Sequence, residues 1–106
     1  MMKFNLSTEH ITLGESDLQL IQEKLERLEK MLRPPFIVDV RLSHDMHHRQ
    51  GQVVTCRINI KQGGEVFHAE RAADTVQGVI DLTLGATKKE LLKYQDKRKQ
   101  GRAKNK

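Results

Sequence analysis

A β-hairpin is predicted by the sequence GQVVTCRINIKQGGEVFHAER, which runs from Gly51 to Arg71. Apolar residues alternate with polar ones on both sides of Gln62-Gly63-Gly64, as in strands that bury one face. Paired glycines adopt positive φ angles without strain, so they suit a tight turn between antiparallel strands. We therefore expect a strand over 51–61 and a returning strand over 65–71. The first should face the core with Val54, Cys56, Ile58 and Ile60.

Two more strands and a long helix are predicted before the hairpin. Lys3–Thr8 and Phe36–Ser43 show the same alternation of apolar and polar residues. Between them, Gly14 or Ser16 can cap a helix, and Pro34-Pro35 ends it because proline lacks an amide donor. The apolar residues of this helix recur at helical spacing over about four turns; they are Leu18, Ile21, Leu25, Leu28 and Leu32.

A second helix is predicted after the hairpin, from about Val76 to about Lys99, with Asp74 or Thr75 as its cap. Gly78 and Gly85 weaken it, since each glycine costs up to about 1 kcal/mol relative to alanine. Its apolar stripe comprises Ile80, Leu84, Thr87, Leu91 and Tyr94.

The fold class that follows is α+β. We expect a two-layer domain in the order β-α-β-β-β-α, in which a four-stranded sheet carries both helices on one face. A chain of 106 residues has room for one core. We expect a single domain over residues 1–100 and a basic disordered tail over 101–106.

Composition narrows the cellular setting. One cysteine, Cys56, excludes an internal disulfide, and the first residues do not form an apolar signal segment. No apolar run approaches the roughly 18 residues that span a bilayer. We expect a cytoplasmic protein that does not act in a membrane.

Positive charge is concentrated in the last 21 residues, ATKKELLKYQDKRKQGRAKNK. This segment holds nine Lys and Arg residues and two acidic residues, whereas the whole chain carries a net charge of +5. A local basic patch is typical of a surface that binds a polyanion. A solvated helix face followed by a disordered basic tail is the simpler alternative.

The predicted RNA-binding residues lie on both helices. On the last helix, Lys89, Lys93 and Lys97 form a row that faces away from the apolar stripe, and Lys88 and Arg98 belong to the same basic run. Lys24 and Arg27 flank the apolar stripe of the first helix. If the helices lie side by side, Lys24 and Arg27 adjoin the row of Lys89, Lys93 and Lys97, and the two sets form one groove for RNA phosphates.

Other kinds of site have little support in the sequence. His44, His47 and His48 lie in a polar loop. A structural zinc site needs four protein ligands, and no second group of His or Cys residues supplies the missing ones. No nucleophile or phosphate-loop motif is present, so we expect no enzyme activity, no metal, no cofactor and no small-molecule substrate. Only four aromatic residues are available to stack on bases, which favours recognition of RNA phosphates and shape.

Several of these motifs together resemble the ribosome hibernation-promoting factor family, the ribosome-associated translation inhibitors. They are a Leu-rich helix ending in Leu28-Glu29-Lys30, the hairpin INIKQGGEVFHAE, and a final helix that opens near VID and closes in KKELLKYQDKRKQ. The resemblance covers nearly the whole chain and implies the same β-α-β-β-β-α fold. Gln77 stands near the position where the family has a tyrosine, and Gly78 and Gly85 also depart from the family pattern.

This resemblance implies a function. Members of the family bind the small ribosomal subunit in the channel used by mRNA and tRNA anticodons, and block translation when growth stops. The cations of both helices would then contact rRNA. The chain looks like the short form, so pairing of two ribosomes would need a separate protein. A stand-alone module for double-stranded RNA and a regulatory protein-interaction domain remain as alternatives.

Overall fold

The computed structural model describes residues 4–45 and 53–104, with side chains for 4–44 and 53–94. The strands and helices follow the chain as β1 (Phe4–Glu9), α1 (Glu15–Glu29), β2 (Phe36–Asp45), β3 (Val53–Gln62), β4 (Glu65–Ala73) and α2 (Val76–Lys104). The predicted order β-α-β-β-β-α and the α+β class are therefore confirmed.

The four strands form one mixed sheet in the spatial order β1-β2-β3-β4. Strand β1 is parallel to β2, and the other two pairs are antiparallel. A parallel pair needs a crossover connection, and α1 provides it. The hairpin between β3 and β4 turns at Gly63 and Gly64, whose φ angles of 54° and 90° lie in the region that favours glycine.

The core lies between the sheet and the two helices. Alternate residues of β2 and β3 are buried there, including Val38, Val40 and the predicted inward residues of β3. They pack against Ile21, Leu25 and Leu28 of α1 and against the apolar stripe of α2. Burial of this kind contributes about 25 cal/mol per Å² of apolar surface removed from water, so the shared core holds both helices on one face of the sheet.

Three polar side chains inside this core have their hydrogen-bonding groups satisfied. The Thr83 and Thr87 hydroxyls donate to the carbonyls of Val79 and Thr83, at 2.7 and 2.8 Å. Cys56 is fully buried, and burial raises the pKa of its thiol, although a hydrogen bond with Thr83 partly offsets the effect. The thiol is therefore protonated in the folded protein at neutral pH.

The sequence offered two candidate N-cap residues for each helix, and the structure shows which one caps it. Gly14 is the N-cap of α1, where its amide donates to Asp17 Oδ2 at 3.3 Å. Thr75 precedes α2, and its hydroxyl oxygen accepts a hydrogen bond from the Gly78 amide at 3.0 Å. The hydroxyl thereby satisfies an amide that has no partner within the helix.

Element ends differ from prediction in several places. Helix α2 ends at Lys104 and not near Lys99, so it overlaps the segment 101–106 that was predicted to be a disordered tail. Strands β2 and β4 are each two residues longer at their C-terminal ends than predicted.

Leu18 belongs to the apolar period of α1, yet 45% of its surface is exposed. None of the helices within the described residues is long and apolar enough to cross a membrane.

Candidate nucleic-acid interface

A small basic groove lies between the two helices. Its volume is about 120 Å³, and its lining comprises Lys24 and Arg27 of α1 together with Asp81, Leu84, Gly85 and Lys88 of α2. The fold therefore brings cations of the two helices together, but Lys89 and Lys93 of the predicted row do not line the groove. The cation of α2 that lines it is Lys88, which is partly buried there.

One cation of the groove is already paired. Lys24 Nζ lies 2.6 Å from Asp81 Oδ1, and this ion pair joins α1 to α2. The Lys24 side chain is 28% exposed and that of Asp81 is 59% exposed, so solvent screens the pair and its net contribution to stability is about 0–1 kcal/mol. Arg27 is exposed at the same groove. The net charge of the lining remains positive, since three cations face one carboxylate.

Lys89 and Lys93 lie outside the groove. Both are exposed on α2. Because an α-helix turns about 100° per residue, Lys89 points about 100° away from Lys88, toward the outer side of the helix. These two lysines thus extend positive charge from the groove across the outer surface of α2. Lys97 and Arg98 lie further along α2, where side chains are outside the described part of the structure.

The two glycines of α2 have different surroundings. A Cβ atom at Gly78 would lie 2.8 Å from Thr75 Oγ1, so this glycine makes room for the helix cap. Apart from its own helix backbone and chain neighbours, a Cβ atom at Gly85 would meet no described atom within 4 Å, although Gly85 lines the basic groove. The missing side chain of Gly85 leaves the helix backbone open to a ligand in the groove. Gly78 does not line the groove, so it has no such effect.

The aromatic side chains offer no exposed platform for stacking bases in the described part of the chain. Phe67 is buried and meets Tyr94 edge to face, with ring centroids 5.3 Å apart. Phe4 and Phe36 are partly buried against the core. Stacking on single-stranded bases needs accessible rings, so the described part of this surface offers charge and shape, and no stacking, to a ligand.

The polar loop between β2 and β3 falls largely outside the described residues. His47 and His48 lie there, and His44 is in β2. Among the described residues, no three His, Cys, Asp or Glu side chains are grouped so that they could hold a metal ion. The absence of a metal and of a cofactor therefore stays a prediction.

The sequence model of the family described as Sigma 54 modulation protein / S30EA ribosomal protein matches residues 4–99. The chain belongs to this family. The match covers most of the chain and confirms the resemblance to ribosome hibernation factors. The comparison with curated proteins found no significant match.

Solved structures of two proteins have a similar fold. A ribosomal subunit interface protein from Coxiella burnetii superposes with a TM-score of 0.73 at 16% identity, covering 90% of this chain and 99% of that chain. The N-terminal domain of Protein Y from Thermus thermophilus gives a TM-score of 0.70 at 14% identity, covering 88% of this chain and 99% of that chain. At these identities the likeness supports the fold alone.

Three residues that line the groove were not among the predicted RNA-binding residues; they are Asp81, Leu84 and Gly85. Asp81 and Gly85 stand seven and three residues before Lys88, a spacing that places these two residues and Lys88 on one side of α2. The helical period could have grouped them, but it could not show which side of α2 faces α1. The family match does not assign roles to any of these side chains.

Proposed function

We propose that this protein binds the small ribosomal subunit and inhibits translation, with its two-helix surface docked on rRNA in the channel used by mRNA and tRNA anticodons. Membership of the S30EA ribosomal protein family supports a role at the ribosome. The fold neighbour from Coxiella burnetii is described as a ribosomal subunit interface protein, which favours the same setting. That setting would place the protein in the cytoplasm.

The observation that carries the proposal is the junction of cations between the helices. Lys24, Arg27 and Lys88 meet in one groove, and Lys89 and Lys93 continue the charge across α2. Each phosphate neutralised by a lysine or arginine releases counterions, so affinity falls with salt by a log-log slope of about −0.9 per contact in a duplex. Lys24 is paired with Asp81, so the other four cations predict a slope of about −3.6.

The groove suits the backbone of structured RNA. Its cations bind phosphate oxygens, and the open backbone at Gly85 allows a phosphate to come close to α2. Binding to the ribosome requires no reacting group, so we propose a function without catalysis. Occupation of the mRNA and tRNA channel by a folded domain inhibits translation by excluding those ligands.

The direct experiment is co-sedimentation of the purified protein with small ribosomal subunits in sucrose gradients at low and high salt. We expect binding at low salt and release at high salt. A variant with K89E, K93E and K97E should lose co-sedimentation while its melting temperature stays nearly unchanged, because such surface substitutions usually change stability by less than about 0.5 kcal/mol each. Retained binding of this variant counts against the proposal.

A competitor distinguishes the ribosome from RNA in general. Excess duplex RNA of unrelated sequence should not displace the protein from small subunits at moderate salt. Displacement at equal phosphate concentration would instead indicate a stand-alone module for double-stranded RNA. A regulatory protein-interaction domain would retain its partner after loss of the lysine row.

A further inference from the structure

The outer face of the sheet, on the side opposite the helices, carries a polar concavity across β1, β2 and β3. Its volume is about 320 Å³. The polar side chains that line it are Asn5, Ser7, Asp39, Arg41, Arg57 and Asn59. It is separate from the interhelical groove because the whole thickness of the sheet lies between them.

Two arginines stand directly opposite each other in this concavity. Arg41 of β2 and Arg57 of β3 are cross-strand partners in the sheet register. Like charges in this arrangement destabilise a sheet unless other groups compensate them. Arg57 is compensated, since its Nη2 lies 3.1 Å from Glu70 Oε2. Arg41 is exposed and forms no ion pair with any side chain that the structure describes.

The next row of the sheet holds polar groups in fixed positions beside the arginines. Asn5 Nδ2 donates to Asp39 Oδ1 at 2.8 Å. Asn59 Oδ1 lies 2.5 Å from His68 Nδ1. These contacts orient both side chains, and they leave Asp39 Oδ2 and Asn59 Nδ2 without a hydrogen-bond partner among the described residues. The concavity therefore presents both an acceptor and a donor next to two guanidinium groups.

We infer that this concavity binds a small phosphomonoester, with its phosphate group between Arg41 and Arg57. A carboxylate has two oxygens, and one guanidinium group can bind both with two parallel hydrogen bonds. A phosphate group has three terminal oxygens, so it can accept hydrogen bonds from several donors that converge from different directions. Two guanidinium groups and the Ser7 hydroxyl supply such donors. The cavity volume is at the lower end of the range of small-molecule sites.

The remaining polar groups favour a hydroxyl-bearing ligand, such as a sugar phosphate, over phosphate alone. Asp39 Oδ2 can accept a hydrogen bond from a ligand hydroxyl, and Asn59 Nδ2 can donate one. Asp39 would repel a second negative group at its end of the cavity. The ligand is bound and undergoes no reaction in this proposal. The site is additional to the proposed ribosome-binding surface, which lies on the helix side of the sheet.

Titrations with inorganic phosphate, ribose phosphate and ribose, followed by amide chemical shifts of the isotopically labelled full chain, test this inference. We expect ribose phosphate to shift amides around Ser7, Arg41 and Arg57, with tighter binding than inorganic phosphate. Ribose alone should cause no shifts at these amides. Phosphate that binds in the helix groove would shift amides near Lys88, which separates the two sites in one spectrum.

R41Q is the most informative variant because Arg41 has no ion-pair partner among the described residues whose loss could disturb the fold. Loss of a charge-assisted hydrogen bond should weaken ribose phosphate binding about tenfold or more. K61Q is the matched control, since Lys61 is an exposed cation on the same sheet face and outside the concavity. It should change the affinity less than about twofold.

D39N provides a second variant with a different expected direction. Removal of the carboxylate should tighten inorganic phosphate binding and reduce the advantage of ribose phosphate over it. Any of three results overturns the inference. They are equal affinity of R41Q and K61Q, equal binding of ribose and ribose phosphate, and phosphate-induced shifts that occur only at the helix groove.

Discussion

At the scale of single residues, Gly85 is the position where stability and binding should respond in opposite directions. Alanine removes the entropic cost of a helical glycine, which is about 0.5–1 kcal/mol, and the structure shows open space for its methyl group. The same methyl group enters the basic groove. We expect G85A to unfold at a higher temperature and to bind small subunits more weakly.

G78A is the matched control for this prediction. Its added Cβ would lie 2.8 Å from Thr75 Oγ1, so the gain in helix propensity should be offset by disturbance of the cap. Gly78 does not line the groove, and its substitution should leave ribosome affinity unchanged. If G85A is more stable but binds as tightly as the wild type, a close approach of RNA at Gly85 is excluded.

Asp81 is the second residue whose replacement has a defined outcome. D81N removes the ion-pair partner of Lys24 and leaves that ammonium group available to a phosphate. Affinity for small subunits should rise at low salt, and the log-log salt slope should become steeper by about 0.9. Stability should change by less than about 1 kcal/mol, since the pair is screened by solvent.

E26Q is the control for D81N because Glu26 is an exposed carboxylate of α1 outside the groove. It should leave the salt slope unchanged. A D81N slope equal to that of E26Q means that Lys24 does not contact phosphate in the complex. Binding measured at four or more salt concentrations gives both slopes.

At the scale of elements, the start of α2 depends on one hydroxyl. T75A removes the acceptor for the Gly78 amide, and loss of such a cap costs about 1 kcal/mol. Chemical denaturation should show this loss as a lower midpoint with an unchanged m-value. S16A should have little effect, because the N-cap of α1 is Gly14. A larger effect of S16A than of T75A would contradict both cap assignments.

The periodicity of single elements was sufficient to predict most of the fold. Strict alternation in β3 identified Val54, Cys56, Ile58 and Ile60 as inward residues, and all four are buried. Alternation is reliable here because a shift of one residue would move every apolar side chain to the solvent face. Leu18 shows where this reasoning fails. It belongs to the apolar stripe of α1, but a helical period does not reveal that one residue of the stripe is exposed to solvent.

At the scale of the whole molecule, the candidate site was predictable only in part. The sequence grouped cations by helix, and the fold brings Lys24 and Arg27 next to Lys88 and not next to Lys89. That choice depends on which flank of α2 faces α1, and it is fixed by tertiary packing. The opposed Arg41 and Arg57 were also out of reach, because strand register is needed to place them face to face.

Co-sedimentation of a groove variant with small ribosomal subunits is the decisive test of whether the interhelical groove binds the ribosome. The variant carries K24E, R27E and K88E, and its control carries R33E, K61E and R71E, three exposed cations outside the groove. Both have the same net charge, and thermal unfolding of each confirms that it is folded. We predict that the groove variant sediments free of small subunits while the control sediments with them. Equal binding of the two variants would show that the groove is not the ribosome-binding surface.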